Sequence, residues 1–228
     1  MTDATRMVIT IDGPAASGKS STAQWVAERL GYLHVDSGSL YRALTAAMLR
    51  ARVTPEQWTP DLVLEERARV GLRESGDKLT AAIDGAPADD EIRGSAVTAE
   101  VWRVASMPEV RSWVNGEVRR TAQLHDVVAD GRDMGTAVFP DAPLKIFLVA
   151  DPWERARRRL TQRLGRRPSD EEIAAETDQI VQRDGKDATQ TVQAKDAVLV
   201  DTTYLTQPEQ VERIVALAHA VSQRPPVT

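Results

Sequence analysis

The chain contains no cysteine, few histidines and an aromatic content of only 4%. The absence of cysteine excludes disulfides, metal sites built on thiolates and a cysteine nucleophile. The three histidines, His34, His125 and His219, lie far apart in the sequence, whereas histidines that bind metal usually occur in closely spaced sets. We therefore expect each histidine to be a packing or surface residue.

The sequence also lacks a long apolar run and an excess of positive charge. No stretch approaches the roughly 18 apolar residues of a transmembrane helix, and residues 1–6 lack the basic-then-apolar pattern of a signal peptide. The formal net charge of −5 argues against general binding to nucleic acid. We therefore expect a cytoplasmic protein that binds neither membranes nor nucleic acid. The 228 residues, 42% of them hydrophobic, suffice for one domain over 1–228.

Residues 13–20 read GPAASGKS and fit the phosphate-binding pattern G-x-x-x-x-G-K-[ST] of a P-loop. A buried strand is predicted over 7–12 and a helix over 21–30, so the loop's N–H groups converge at the positive end of a helix dipole. Lys19 would reach the β- and γ-phosphates of a bound nucleotide, and the Ser20 hydroxyl would bind Mg²⁺. Without nucleotide we expect Lys19 to face solvent. The predicted nucleotide-binding set is Gly13, Pro14, Ala15, Ala16, Ser17, Gly18, Lys19, Ser20 and Ser21.

Five short apolar runs predict core strands, and helical patterns separate them, which is typical of a parallel α/β sheet. The runs cover residues 7–12, 32–36, 126–130, 145–150 and 197–201. Four of them end in an aspartate, namely Asp12, Asp36, Asp130 and Asp201. Ligands of open α/β sheets bind beyond the carboxyl ends of the strands, where aspartates can hold a metal-bound water or a substrate amine. Asp is also a common turn residue, and for Asp12 and Asp201 we expect that simpler role.

Two stretches depart from this alternation of strands and helices. Between residues 71 and 94, alternating apolar residues and turn residues predict a small antiparallel hairpin, which we interpret as part of a substrate-binding insertion over 71–98. Residues 151–167 hold seven arginines and two acids, and residues 168–178 hold five acids without Lys or Arg. These are either two solvated helices that pair with each other or a lid, over 152–190, that closes on phosphates. The P-loop favours the lid, because phosphoryl transfer needs cations on the transferred group.

A P-loop by itself does not distinguish a kinase from a GTPase, a motor or a transporter ATPase. The absence of N-K-x-D argues against a GTPase, and the length argues against a motor. Residues 36–42 and 130–136 each place an arginine at the carboxyl end of a predicted strand. Arg binds phosphate through two hydrogen bonds, and Asp can accept one from an exocyclic amine. The sequence therefore predicts a second phosphate pocket, as in a kinase of small substrates.

These motifs resemble those of the bacterial cytidylate kinase family. The resemblance follows the chain in order through residues 13–21, 36–42, 91–93, 108–111, 130–136 and 139–148. It implies a three-layer P-loop kinase fold with a five-stranded parallel sheet, a small substrate-binding insertion and a helical lid. It also implies transfer of the γ-phosphoryl group of ATP to CMP or dCMP with Mg²⁺. We further expect a monomer.

The resemblance also implies roles for single residues. Arg42 and Arg132 would bind the acceptor phosphate. The cytosine would be surrounded by Ser37, Arg111 and Asp133, and the pentose would be contacted by Arg183 and Asp187. The implied catalytic set is Lys19, Arg132, Asp133 and Arg183. An ionised Asp133 suits cytosine, because the carboxylate only accepts hydrogen bonds and the N4 amine donates them.

The sequence departs from the family's pattern at two places. Trp102 stands where the family usually has a serine that touches the cytosine, and we expect Trp102 to be a helix core residue. Ala188 and Gln190 replace two arginines at the end of the lid, which predicts weaker pentose recognition. Two other functions stay open: a P-loop kinase of another nucleoside monophosphate or a small alcohol, and a non-catalytic nucleotide-binding regulator. The retained Lys19, Arg42, Arg132 and Asp133 argue against the regulator.

Overall fold

The computed structural model describes residues 6–76 and 78–222. Residues 1–5, which belong to the N-terminal stretch considered above, and Asp77 of the predicted hairpin turn lie outside this description. The strands are β1 Val8–Asp12, β2 Leu33–Asp36, β3 Val70–Ser75, β4 Lys78–Ile83, β5 Ala86–Pro87, β6 Val127–Asp130, β7 Leu144–Val149 and β8 Val198–Asp201. The α-helices are α1 Lys19–Leu30, α2 Ser37–Arg50, α3 Pro60–Glu65, α4 Asp89–Arg93, α5 Ser95–Ala105, α6 Pro108–Leu124, α7 Pro152–Leu164, α8 Asp170–Asp187 and α9 Gln207–Ser222. Short 3₁₀ turns cover Pro55–Gln57 and Glu66–Arg69, and a π-helical turn covers Met134–Val138.

Five parallel strands form the centre of the sheet, in the order β2-β6-β1-β7-β8. They are the five strands that the apolar runs predict, with ends shifted by at most one residue. In this order β6 lies between β1 and β2, so the ends of three predicted strands meet at one edge. Asp36 and Asp130, for example, are register partners on β2 and β6.

The predicted hairpin is present as β3 and β4, which pair antiparallel. Strand β4 also pairs in parallel with β2, at Lys78 and His34, so the hairpin extends the central sheet and does not stand apart from it. Helices α4 and α5 follow, and α5 packs on α2. The helices beside the hairpin therefore lie next to the carboxyl ends of β2 and β6.

The sheet is covered on both faces, which confirms the three layers. On one face α1 and α9 pack against β1 and β7 through Ile9, Val26, Ile146 and Ile214. The other face buries a larger cluster that includes Val35, Leu44, Val104 and Val114, from β2, α2, α5 and α6. Within the described residues, no helix combines the length and the apolar character that a membrane span requires.

The charge-segregated stretch forms α7 and α8, which pack against each other. Ala156, Leu160, Ile173 and Ile180 make a small apolar core between them, and Ala16 of the P-loop packs against it. Helix α8 begins with a capping box, in which the side chains of Ser169 and Glu172 each accept a hydrogen bond from the other residue's backbone N–H. The two helices therefore form one packed unit that contacts the P-loop.

Candidate active site

The P-loop has the predicted strand, loop and helix arrangement between β1 and α1. Gly13 has φ 148°, and a Cβ there would lie 2.2 Å from the backbone oxygen of Leu148, so a side chain cannot be accommodated. Gly18, the residue before α1, is left-handed with φ 88°. Both glycines therefore allow the backbone path that turns the loop's amides towards the cleft.

Lys19 is buried, with 6% of its surface exposed, and its Nζ donates a 2.8 Å hydrogen bond to the backbone oxygen of Pro14. The expectation that Lys19 faces solvent is therefore wrong. Burial, together with the nearby charge of Arg132, lowers the pKa of Lys19 to about 7. The ammonium group is thus held inside the loop, where an anion would compensate its burial.

A carboxylate at the end of β6 faces the first turn of α1. Ser20 Oγ donates a 2.7 Å hydrogen bond to Oδ2 of Asp130, whose Oδ1 lies 2.7 Å from Nε2 of His34. In the sequence, Asp130 stands out only as the end of a predicted strand and the first residue of the segment 130–136. Because Mg²⁺ is held by oxygen ligands, often one or two carboxylates plus substrate phosphates, Ser20 and Asp130 fit a magnesium position.

Asp12 holds the segment that follows β6. Its carboxylate accepts hydrogen bonds from the backbone N–H groups of Met134, at 2.8 Å, and Gly135, at 2.7 Å. Burial raises the pKa of Asp12 to about 6, against the effect of these two bonds. Asp12 therefore anchors the segment that carries Arg132 and Asp133, which is more than the turn role expected of it.

Three arginines from different elements converge beside the P-loop. Arg42 donates to the oxygen of Ile92 at 3.0 Å and to Thr98 at 3.1 Å, while Arg132 and Arg183 both face Asp187. Burial and the charge of Arg183 lower the pKa of Arg42 to about 10. The pKa of Arg183 is lowered in turn by burial and by Arg132. Such mutually repelling, half-buried cations form a site for an anion.

Farther along the cleft, Arg111 connects three parts of the chain. One terminal nitrogen donates to the backbone oxygen of Ala105 and to Oε1 of Gln190, both at 3.0 Å. The other is paired with the carboxylate of Asp133. The ring of Tyr41 lies 5.7 Å from the Arg111 guanidinium. This pocket thus offers a carboxylate acceptor next to a fixed guanidinium.

One expectation about this end of the cleft is wrong. Trp102 is not a core residue, because it is 45% exposed and lines the cleft, with the Lys186 ammonium 5.7 Å from its ring centre. Gln190 contacts Arg111, beside Asp133, and not the arginine pair at Asp187. Ser37 also lines the cleft, but its hydroxyl donates to the backbone oxygen of Asp130 at 2.9 Å.

Most lid arginines are already paired with acids. Arg159 and Arg163 contact the buried Glu176, at 3.2 and 2.9 Å. Arg155, with 4% of its surface exposed, donates to Asp184 at 2.6 Å and to the oxygen of Ala15 at 2.8 Å. A count of charged residues along the sequence does not predict these pairs, because it does not show which arginine contacts which acid.

Lys19, Ser20, Asp130, the three convergent arginines and the Arg111–Asp133 pair line one cleft of about 1110 Å³. Asp12, His34 and Arg155 do not line it. The lining includes residues of the P-loop and the pocket of Arg111 and Asp133. It also includes Arg157, Arg158 and the loop with Tyr204, whose surface is 97% exposed. Tyr204 belongs to no motif, so sequence analysis did not find it. The predicted phosphate, base and sugar residues therefore share a single space.

A P-loop that faces an arginine-lined phosphate pocket across a cleft defines a phosphotransferase of small substrates. The family model described as cytidylate kinase matches residues 9–220 of the chain. The cytidylate kinase of Chloroherpeton thalassium is 39% identical over 93% of both chains, and that of Geobacillus kaustophilus is 42% identical over 94% of this chain and 97% of that one. Among solved structures, shikimate kinase from Bacteroides thetaiotaomicron aligns with a TM-score of 0.47 and 16% identity, over 93% of this chain and 98% of that one. The chain belongs to the cytidylate kinase family.

Proposed function

We propose that this enzyme transfers the γ-phosphoryl group of ATP to CMP or dCMP, giving ADP and CDP or dCDP. The observation that carries the proposal is the continuity of the cleft. The P-loop, the Arg111–Asp133 pair and the arginine cluster (Arg42, Arg132 and Arg183) all line the cleft. Donor and acceptor phosphates could therefore meet within it.

On the donor side, the P-loop amides and Lys19 would hold the ATP phosphates. Lys19 is preorganised, since its Nζ is fixed by Pro14 before any ligand binds. Mg²⁺ held at Ser20, with Asp130 behind it, would neutralise charge on the β- and γ-phosphates. A buried cation aimed at the transferred group acts in a low dielectric and needs little reorganisation during the reaction.

On the acceptor side, Arg42 and Arg132 would bind the monophosphate, and Arg183 would stabilise the charge that develops during transfer. Asp133 would accept from the cytosine amine, while Arg111 would donate to acceptor atoms of the ring. A uracil base would bring an oxygen towards the Asp133 carboxylate, which leaves both acceptors unpaired and costs about 1–3 kcal/mol or more. This pair therefore favours cytosine over uracil.

No covalent intermediate is needed. Holding two phosphates in line and neutralising their charge supplies most of the catalysis in such reactions. We propose that the insertion over 71–98 and the lid over 152–190 close on the substrates and exclude water. We also propose that the enzyme acts as a cytoplasmic monomer on small molecules, with Mg²⁺·ATP as donor. Sedimentation of the purified protein tests the monomer.

The activity is tested by coupled ADP release with ATP, Mg²⁺ and a panel of CMP, dCMP, UMP and AMP. We expect turnover with the two cytidylates. Turnover with another member of the panel alone would indicate a different kinase, and ATP binding without turnover of any acceptor would indicate a regulator. Lys19→Met is the matched control: it keeps the length of this buried side chain and should lower kcat by about 10²-fold or more while the protein stays folded.

A further inference from the structure

His34 is a buried residue of β2, with 6% of its surface exposed. Its Nε2 lies 2.7 Å from Oδ1 of Asp130, and the other oxygen of that carboxylate accepts the Ser20 hydroxyl at 2.7 Å. We call these three side chains the P-loop triplet. It connects the interior of the sheet with the first turn of α1.

The sheet register places His34 beside Asp130. His34 pairs with Val128, and Asp36 pairs with Asp130, so His34 lies diagonally opposite Asp130 on the same face of the sheet. Strand β2 is paired with β6 on one side and with β4 on the other. Because its backbone is held from both sides, the imidazole is a rigid support for the carboxylate.

Asp130 needs such a support, because only 2% of it is exposed and another carboxylate, Asp36, is its register partner. A buried carboxylate must find a partner for each oxygen. If the imidazole were absent, Oδ1 would be unpaired and the carboxylate could rotate towards the nearby Lys19 ammonium. Oδ2 would then no longer be fixed against Ser20.

Building on the phosphotransfer proposed above, we propose that His34 is a positioning residue. By holding Oδ1 of Asp130, it aims Oδ2 at Ser20 and so orients the oxygen atoms that would receive the magnesium ion of Mg²⁺·ATP. His34 itself reaches neither nucleotide. His34 therefore strengthens the binding of Mg²⁺·ATP but not the binding of ATP without the metal. Partners of this kind behind a metal ligand are typically worth about 10- to 100-fold in metal affinity or activity.

The test compares two substitutions whose side-chain amides differ in length. His34→Gln can place an N–H donor near the position of Nε2, whereas the shorter His34→Asn cannot. ATP affinity is measured by isothermal titration with and without Mg²⁺, and kcat by the coupled assay. Mg²⁺ raises the affinity for ATP by some factor in the wild type, and we expect this factor to be at least about tenfold smaller in His34→Asn. The affinity for ATP without Mg²⁺ should be unchanged. In His34→Gln the factor should be close to that of the wild type. His125→Asn, at a half-buried histidine that does not line the cleft, should match the wild type in both measurements.

If His34→Asn lost ATP affinity equally with and without Mg²⁺, His34 would have a purely structural role and the proposal would be overturned. So would a normal Mg²⁺ gain in His34→Asn, or a glutamine variant that is folded and as impaired as the asparagine variant. If the asparagine variant does not fold, His34→Leu, which keeps the buried volume, takes its place. Because ATP binding is measured directly, a wild type that binds Mg²⁺·ATP but phosphorylates no cytidylate would overturn the proposed function and still test His34.

Discussion

The backbone N–H of Ala15, within the P-loop, donates a 3.1 Å hydrogen bond to the carboxylate of Asp184 on α8. The buried Arg155 donates to both partners, at 2.8 Å to the oxygen of Ala15 and at 2.6 Å to Asp184. These three residues, which we call the lid latch, tie the lid helices to the loop. The position of the lid is therefore linked to the conformation of the phosphate site.

Asp184→Ala should release the lid from the P-loop. Without Asp184, Arg155 would be a buried charge without its acidic partner, which is unfavourable. Because the apolar core between α7 and α8 is small, the lid can move and expose Arg155 to solvent. Hydrogen exchange over residues 152–187 should accelerate, while global stability should fall by less than about 1 kcal/mol. A loss of about 3–5 kcal/mol without faster exchange would instead mean that the lid is a fixed part of the fold.

Bound nucleotides should slow hydrogen exchange of the lid in the wild type. A saturating bisubstrate analogue supplies phosphates to the arginine cluster, which favours the closed lid. Exchange over residues 152–187 should then slow. Unchanged exchange in a saturated sample would show that α7 and α8 are a static helical pair.

Asp133→Asn should impair the use of CMP far more than the binding of ATP. The variant removes the ion pair with Arg111 and presents an amide to the cytosine amine, which costs about 1–3 kcal/mol, or roughly 5- to 150-fold in the acceptor KM. Titration with an ATP analogue is the control. Equal losses for both ligands would indicate that Asp133 supports the fold.

Gln190→Arg should raise the KM for CMP, about tenfold, or near 1.4 kcal/mol. Sequence comparison suggested the reverse, but Gln190 accepts from Arg111, and an arginine there would set two cations against each other. Gln193→Arg adds the same charge three residues away, at an exposed position outside the cleft lining, and should leave KM unchanged. A lower KM for Gln190→Arg would restore the interpretation drawn from the family's pattern.

Trp102 should report acceptor binding through its fluorescence, since it lines the cleft with Lys186 near its ring. CMP should change the emission of the wild type but much less that of Trp102→Phe. Trp25→Phe is the matched control, because Trp25 is 44% exposed on α1 and does not line the cleft. Trp102→Ala should raise the acceptor KM by about threefold, because Lys186 loses the cation–π contact that holds its ammonium group at the cleft. A full signal in Trp102→Phe would place the acceptor away from this ring.

Asp12 should make stability depend on pH. Its pKa of about 6 in the folded protein is above the ordinary value of about 4, so the folded state binds the proton more tightly than the unfolded chain. Its contribution is therefore present below about pH 4 and is lost as the pH rises through about 6. Denaturant unfolding from pH 4 to 7 should show this decline in the wild type and a smaller one in Asp12→Asn. Identical slopes would mean that Asp12 titrates normally.

The sequence by itself determined the features that depend on neighbouring residues. The P-loop, the five parallel strands, the hairpin and the capping box of α8 each follow from short patterns of glycine, apolar and capping residues. Helix α5 shows the limit of such patterns. Val97, Val101 and Val104 form its buried stripe and leave Trp102 on another face, so the prediction that Trp102 is a core residue is wrong.

Only the tertiary structure decided which distant side chains meet. His34 and Asp130 are 96 residues apart, Ser20 and Asp130 are 110 apart, and Ala15 and Asp184 are 169 apart. Their contacts depend on strand order and register, which place β6 between β1 and β2. The burial of Lys19 likewise depends on what surrounds the loop. A local pattern carries no information on these distances, because chain packing, and not sequence proximity, brings the charges together.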